Sequence, residues 1–240
     1  MMHIKTLVFL LLLSLGQAAF AQVVASVTHL SGLLSVKRPD GSTKLLSVKS
    51  AIEQGDLLTT ERDTFARLKF ADASEIVLRP GSQLKIEKFN YEAAKPEADS
   101  LVFNMLKGGM RAVSGLIGKR SKGAVAYTTP TATIGIRGTH FGALLCQGDC
   151  DAIATASGKA PADGLYLDVA RGAVIVTNAA GSMLIETGQF GYVRDRVTAP
   201  AVVPPEQGLQ VTMPDAISHN DAAVLLGKAS DSSAAQCVVE

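Results

Sequence analysis

AVAYTTPTATIGIRGTHFGALL, Ala124 to Leu145, joins two strand-like runs through the compact signature Ile136-Arg137-Gly138-Thr139. On both sides of it, apolar residues alternate or come in short runs, and Gly, Pro, Asp and Asn punctuate them at short intervals. That is strand grammar, and no helical period is sustained from Gln22 to the C-terminal tail.

Upstream, Val23 to Thr28 leads to Gly32 to Arg38, and Pro39-Asp40-Gly41-Ser42 supplies a tight turn back through Thr43 to Leu46. In Phe65 to Phe70, Ala66, Leu68 and Phe70 share one face while Arg67 and Lys69 share the other, as a half-buried strand requires. Turns at Ala71 to Ser74 and Pro80-Gly81 separate this strand from Ile76 to Leu78 and from Leu84 with Ile86. Phe70, Leu78, Leu84, Ile134 and Phe141 lie on the apolar phase of their strands and are expected in one core. Asn90 to Ser100 carries Pro96 and no apolar stripe, which predicts an exposed loop. Leu101 to Leu106 reads as a central strand, Gly108-Gly109 as a tight turn, and the glycine-rich, basic Ser114 to Gly123 as a mobile loop.

Downstream, strands recur from Leu165 to Val193 with glycine turns between them. From Ala199 to Asp215 the composition shifts to Pro and Val, predicting an extended linker or a surface strap, and Ala216 to Lys228 reads as one short helix. The expected fold class is all-β, a short β-solenoid, β-roll or sandwich of many short strands in residues 22–195. A Pro-rich linker and tail over 196–240 follow it.

At the N-terminus, His3 and Lys5 precede an apolar run from Leu7 to Leu15, and Ala19-Phe20-Ala21 follows. The run is about half of the ~20 residues a membrane helix needs, so residues 1–21 read as a signal peptide cleaved before Gln22, and the protein is expected in the periplasm without a transmembrane span. Removing Lys5 with that segment takes 23 basic residues to 22 against 22 acidic ones, a formally neutral mature chain.

Four pieces in order carry a resemblance: Gly55-Asp56-Leu57-Leu58-Thr59-Thr60; the alternating Ala66 to Leu78; Ser82-x-Leu84-x-Ile86; and Thr129-Pro130 with Ile136-Arg137-Gly138-Thr139-x-Phe141. Together they resemble the FecR family of periplasmic domains, most clearly over residues 23–145. Where that family has Asp-Gly-Ser at the mid-domain turn, this chain has Asp72-Ala73-Ser74, which is expected to alter the turn type and not the fold. The founding members of the family are transmembrane regulators that pass a signal from an outer-membrane receptor to a cytoplasmic sigma factor. The signal peptide marks this chain as similar to a stand-alone secreted version, for which a periplasmic sensing or scaffolding role remains.

The chemistry-bearing residues point away from catalysis, and no cofactor is expected. Ser82-Gln83-Leu84-Lys85 has the spacing of some acyl enzymes but falls on a strand, where positions three apart face opposite ways. Gly118-Lys119 has Arg120 where a P-loop needs Ser or Thr, and the histidines are scattered. From Ser100 to Gly148 there is no Asp or Glu, while Lys107, Arg111, Lys119, Arg120, Lys122 and Arg137 lie there. That segment predicts contact with an anionic envelope polymer or an envelope protein, or else a solvated loop. Arg137 alone reads better as a structural arginine at a strand crossing. Nucleic acid is disfavoured by compartment.

Cys146 and Cys150 bracket Gln147-Gly148-Asp149. Extended backbone would hold their Cα atoms about 13 Å apart, but a turn there brings them within the ~4.4 to 6.8 Å a disulfide tolerates. A local disulfide is expected, with Cys237 unpaired. A metal site built with Asp149 or Asp151 and a long-range bridge from Cys237 are the rivals. The functional expectation is a non-enzymatic periplasmic binding or scaffold module. The alternative is a sensory accessory acting with a separate membrane regulator.

Overall fold

The computed structural model describes residues 22–153, 155, 158–214 and 217. The signal peptide, the helix expected within 216–228 and Cys237 lie outside the described residues.

Among the described residues, fifteen strands form one sheet. In chain order they are β1 (Val23–Ser31), β2 (Leu34–Lys37), β3 (Thr43–Leu46), β4 (Ala51–Glu53), β5 (Leu57–Thr60), β6 (Phe65–Phe70), β7 (Glu75–Leu78), β8 (Gln83–Asn90), β9 (Ser100–Val113), β10 (Val125–Thr128), β11 (Thr133–Cys146), β12 (Gly164–Asn178), β13 (Gly181–Glu186), β14 (Phe190–Val193) and β15 (Ala201–Val203). The main path runs β15-β14-β12-β11-β10-β9-β7-β6-β1-β4, and β8, β5, β2 and β3 branch from β9. β10 lies parallel to β9, and the other pairings are antiparallel.

Within the decisive segment, the runs on either side of Arg137-Gly138 are one strand, β11, not two. Ile134 and Ile136 face the core at even positions of β11, whereas Phe141, Ala143 and Leu145 face it at odd ones. The phase inverts because the register slips between Arg137 and Phe141, where Gly138 sits at φ +61°, a left-handed conformation that suits a residue without Cβ. The partner strand inverts at the same level: Leu165, Leu167 and Val169 precede the slip, and Val174 and Val176 follow it. Gly108-Gly109, expected to close a tight turn, instead lies inside the 14-residue β9, and the core phase again changes across it, from Leu101, Phe103 and Met105 to Met110 and Ala112.

Phe70, Leu78, Leu84, Ile134 and Phe141 share one core. Along it runs a chain of ring contacts, Phe89 to Phe70 to Phe103 to Tyr127 to Phe141, with centroids 5.0 to 5.9 Å apart. Burying one such side chain contributes roughly 1.5–3 kcal/mol, and this row links β6, β8, β9, β10 and β11.

The segment expected to be a mobile loop contains a single helical turn, α1 (Leu116–Arg120), with Ile117 buried. Asp72 explains it. The Leu116 N–H donates to the Asp72 carbonyl at 2.7 Å and the Ile117 N–H to Asp72 Oδ2 at 3.3 Å, while Asp72 Oδ1 accepts from the Ser74 N–H and hydroxyl at 3.0 and 2.6 Å. A buried carboxylate thus pins the start of α1 to the β6–β7 turn. That turn keeps a left-handed residue even without glycine, since Ala73 adopts φ +62°. Beyond residue 195 the chain still belongs to the sheet: β15 pairs with β14, and the residues after it strap across the face opposite the main core.

Candidate functional site

The basic residues of the central segment do not form one patch. Arg111 is buried, 5% exposed, and so leaves the set of surface contacts in which the sequence placed it. Lys107 is exposed and pairs with Asp149 at 3.3 Å. Arg120 grips Asp99 with two hydrogen bonds of 2.7 Å, donates to the carbonyls of Glu92 and Ala93, and lies 4.8 Å above the Tyr91 ring. That grip holds the Asp99 carboxyl below its usual range. Lys119, Lys122 and Arg137 are exposed and make no ion pair among the described residues. Lys119, Arg120 and Lys122 stand together at the end of α1, and Arg137 sits at the bulge of β11.

The motif residues Asp56, Asp72, Ser74 and Ser82 are buried; Asp56, Asp72 and Ser82 serve the backbone, and Ser74 serves Asp72. Ser82 donates to the Gly109 carbonyl at 2.8 Å and accepts from its N–H at 2.9 Å, which ties β8 to β9.

On the face of the sheet away from the main core lies an arrangement the sequence reading missed. Arg111 on β9 and Asp168 on β12 flank Gly142 of β11, their common register partner. Arg111 Nη1 and Nη2 donate to Asp168 Oδ1 at 2.9 and 2.8 Å, and Arg111 Nε donates to His140 Nε2 at 2.9 Å. Only glycine permits this crossing, because a Cβ at 142 would run into the Asp168 carboxylate, the Val211 side chain and the guanidinium. Burial pushes the Asp168 carboxyl above its usual range, against the pull of the Arg111 charge, and lowers Arg111 from its ordinary value.

The strap crosses this face from β14 to β6. Gly208 packs on the Phe190 ring, the Val211 carbonyl accepts from Arg111 Nη1 at 2.9 Å, and the Val211 N–H donates to Asp168 Oδ2 at 2.9 Å. Farther along, Arg79 Nη1 donates to the Thr212 carbonyl at 3.0 Å and Arg67 to the Ile217 carbonyl. Leu209, Val211, Met213 and Ile217 are buried in a second apolar cluster with Val77, Leu144 and Tyr166. Cys146 and Cys150, joined by a disulfide with Cα atoms 5.5 Å apart, belong to the same cluster. A cleft of about 360 Å³ is lined by Gly208, Leu209, Gln210 and Thr212 of the strap, and a second of about 550 Å³ lies against Pro80, Leu144 and Asp149; Arg79 and Ile153 line both.

The sequence did hold a signal for this site. Arg111 in Met110-Arg111-Ala112-Val113 and Asp168 in Leu165 to Val169 are lone charges of opposite sign inside apolar strands, and such charges are buried only when paired. Among the described residues no helix is long and apolar enough to cross a membrane, and no three His, Cys, Asp or Glu gather as a metal site.

Compared with known proteins, residues 56–175, half of the chain, match the FecR family, described as FecR protein. Two crystal structures of a candidate anti-sigma factor from Parabacteroides distasonis ATCC 8503 are similar at 12% identity, with TM-scores of 0.47 and 0.45; each covers 63% of this chain and 60% of the other. The chain therefore spans less than two thirds of the length of those solved relatives. A cell surface anchoring domain is similar at 21% identity and a TM-score of 0.25, over 26% of this chain and 82% of that one. No curated protein matches the chain.

Proposed function

The chain belongs to the FecR family, and from that premise we propose that it is a non-enzymatic binding module of the periplasm, an accessory to cell-envelope signalling that works by contact with proteins. The family match over residues 56–175 carries this reading. The second face of the sheet supports it, because its polar groups meet a peptide segment and no small ligand is needed to explain them. Cross-linking in intact cell envelopes tests the reading, with photo-reactive residues placed at Arg62, Lys107 and Lys119. Adducts with an envelope protein are expected; adducts with polymer alone would overturn it. Export is checked by intact mass, which should begin at Gln22.

A second reading has its own observation. Lys119, Lys122 and Arg137 are exposed and unpaired among the described residues, so they are free to meet an anionic envelope polymer. Contacts of this kind weaken steeply as added salt shortens screening to ~8 Å. Neutralising Lys119 and Lys122 with Arg137 should abolish such binding and leave folding intact. Salt-independent binding would remove this reading.

A further inference from the structure

We propose that the sheet face beneath residues 208–214 and 217 is a docking groove for an extended, acidic segment of a partner protein with apolar residues at alternate positions, and that the chain's own strap is the resident occupant. This rests on the reading of the chain as a protein-binding module and names the kind of partner.

The first support is the way the strap is held. Arg111, Asp168, Arg79 and Arg67 all grip main-chain atoms, those of Val211, Thr212 and Ile217. Recognition of this kind reads an extended backbone and is indifferent to which side chains it carries. Among the described residues the strap is not a strand of the sheet, and besides these grips its buried apolar residues hold it down. Leu209, Val211 and Met213 supply the alternate spacing, and Gly142 leaves the gap through which Val211 reaches the Arg111–Asp168 pair.

The second support is what the strap leaves unfilled. The cleft of about 550 Å³, which shares Arg79 and Ile153 with the cleft that the strap lines, is walled by Pro80, Leu144 and Ile153, and Arg62, Arg79 and Lys107 outnumber Asp63 and Asp149 on its lining. Arg79 is half-buried and makes no ion pair among the described residues, and its Nη1 donates to the Thr212 carbonyl at 3.0 Å. A segment with an acidic residue at the level of Thr212 and a bulkier apolar neighbour would give Arg79 an ion pair and fill the volume. Such a segment must compete with a tethered rival, whose effective concentration is on the order of millimolar. The groove is therefore closed to weak ligands and open to well-matched ones.

The test uses the full chain and fluorescein-labelled peptides followed by anisotropy. One peptide copies residues 204–217; a second carries Thr212→Glu; a third is N-methylated at Val211. In the full-length variant Leu209→Ser with Met213→Ser, the copy should bind at least tenfold tighter than to the wild type. The glutamate peptide should bind at least threefold tighter again, and the N-methyl peptide at least tenfold weaker than the copy. A variant that melts cooperatively and binds neither the copy nor the glutamate peptide would overturn the proposal. So would a peptide with serine at every apolar position binding as well as the copy. Hydrogen exchange on the wild type is the independent measurement: the Val211 amide should exchange at least a hundredfold faster than that of Ala112, and equal rates would mean that the strap never leaves. A doubled mass in solution, with straps exchanged between two copies, would replace the partner by a second copy and overturn the assignment. Failure here with protein adducts still found in the envelope would leave the module reading standing without this groove.

Discussion

Arg111 and Asp168 stand two strands apart, and the guanidinium of one reaches the carboxylate of the other across the bare backbone of Gly142. Both charges are buried, with side chains 6% and 7% exposed, and both also hold the main chain of Val211. Breaking the pair from one side strands a charge in apolar surroundings. Arg111→Met is therefore expected to cost about 3–5 kcal/mol in denaturant unfolding, and Arg111→Met with Asp168→Leu to recover most of that loss. A double variant no better than the single one would show that the charges hold the strap and are not merely tolerated beneath it.

The ring row through the main core makes a second expectation. Phe70 touches both Phe89 and Phe103, and Phe141 closes the row against Tyr127. Phe70→Ala and Phe141→Ala should each cost about 3–5 kcal/mol. Wild-type melting for either would mean that its ring is not packed as described.

At the β6–β7 turn, Ala73 occupies a left-handed conformation that costs an ordinary residue about 1–2 kcal/mol. Ala73→Gly relieves that strain but gains about 0.4–1 kcal/mol of unfolded-state freedom. The net expectation is a stabilisation of about 0.5–1 kcal/mol, read as a rise in denaturation midpoint at unchanged slope. A loss of stability would show that the turn prefers Ala73 for packing.

The Cys146–Cys150 bond closes a loop with a sequence separation of 4, and chain entropy for so short a loop predicts a contribution of about 2 kcal/mol. Cys146→Ala with Cys150→Ala should lower stability by about that amount. Non-reducing peptide mapping should give one fragment containing both cysteines. A dominant fragment joined to Cys237 would contradict the local pairing.

Asp99 carries a pH expectation. Its carboxyl is held below the usual range, first by the hydrogen bonds from Arg120 and then by Ser121, so the folded state binds its proton less readily than the unfolded chain. Its contribution is then fully present above the unfolded value of about 3.9 and is lost as pH falls through the lower folded value. The melting-temperature gap between wild type and Asp99→Asn should be largest near neutral pH and should close on acidification. A gap constant from pH 7 to pH 3 would contradict the direction.

Much of this fold was legible because it rests on local alternation. Ala66, Leu68 and Phe70 point inward as the period of two requires, and the segment from Val125 to Leu145 is strand except at the turn near Pro130. What alternation cannot show is a change of phase inside a strand, so Gly108 reads as a turn and Gly138 as a junction, although each lies within a continuous strand. Nor can local pattern reveal partners far apart in sequence. Asp72 pins α1 from 45 residues away, and Arg111 meets Asp168 across 57 and Val211 across 100. The basic segment was visible as charge, but its division into paired and free cations depended on Asp99, Asp149 and Asp168, all outside the counted stretch.

The ends of the sheet carry one more consequence. Its main path is bounded by β4 and β15, each only three residues long, and β15 lies just before Pro204-Pro205. An exposed edge can recruit a strand from another molecule only if it offers a run of unpaired amides and carbonyls, and edges this short offer few. The main path is thereby kept from growing at either end, and concentrated solutions of the protein should resist fibre formation through β4 or β15 until one of those ends is unpicked.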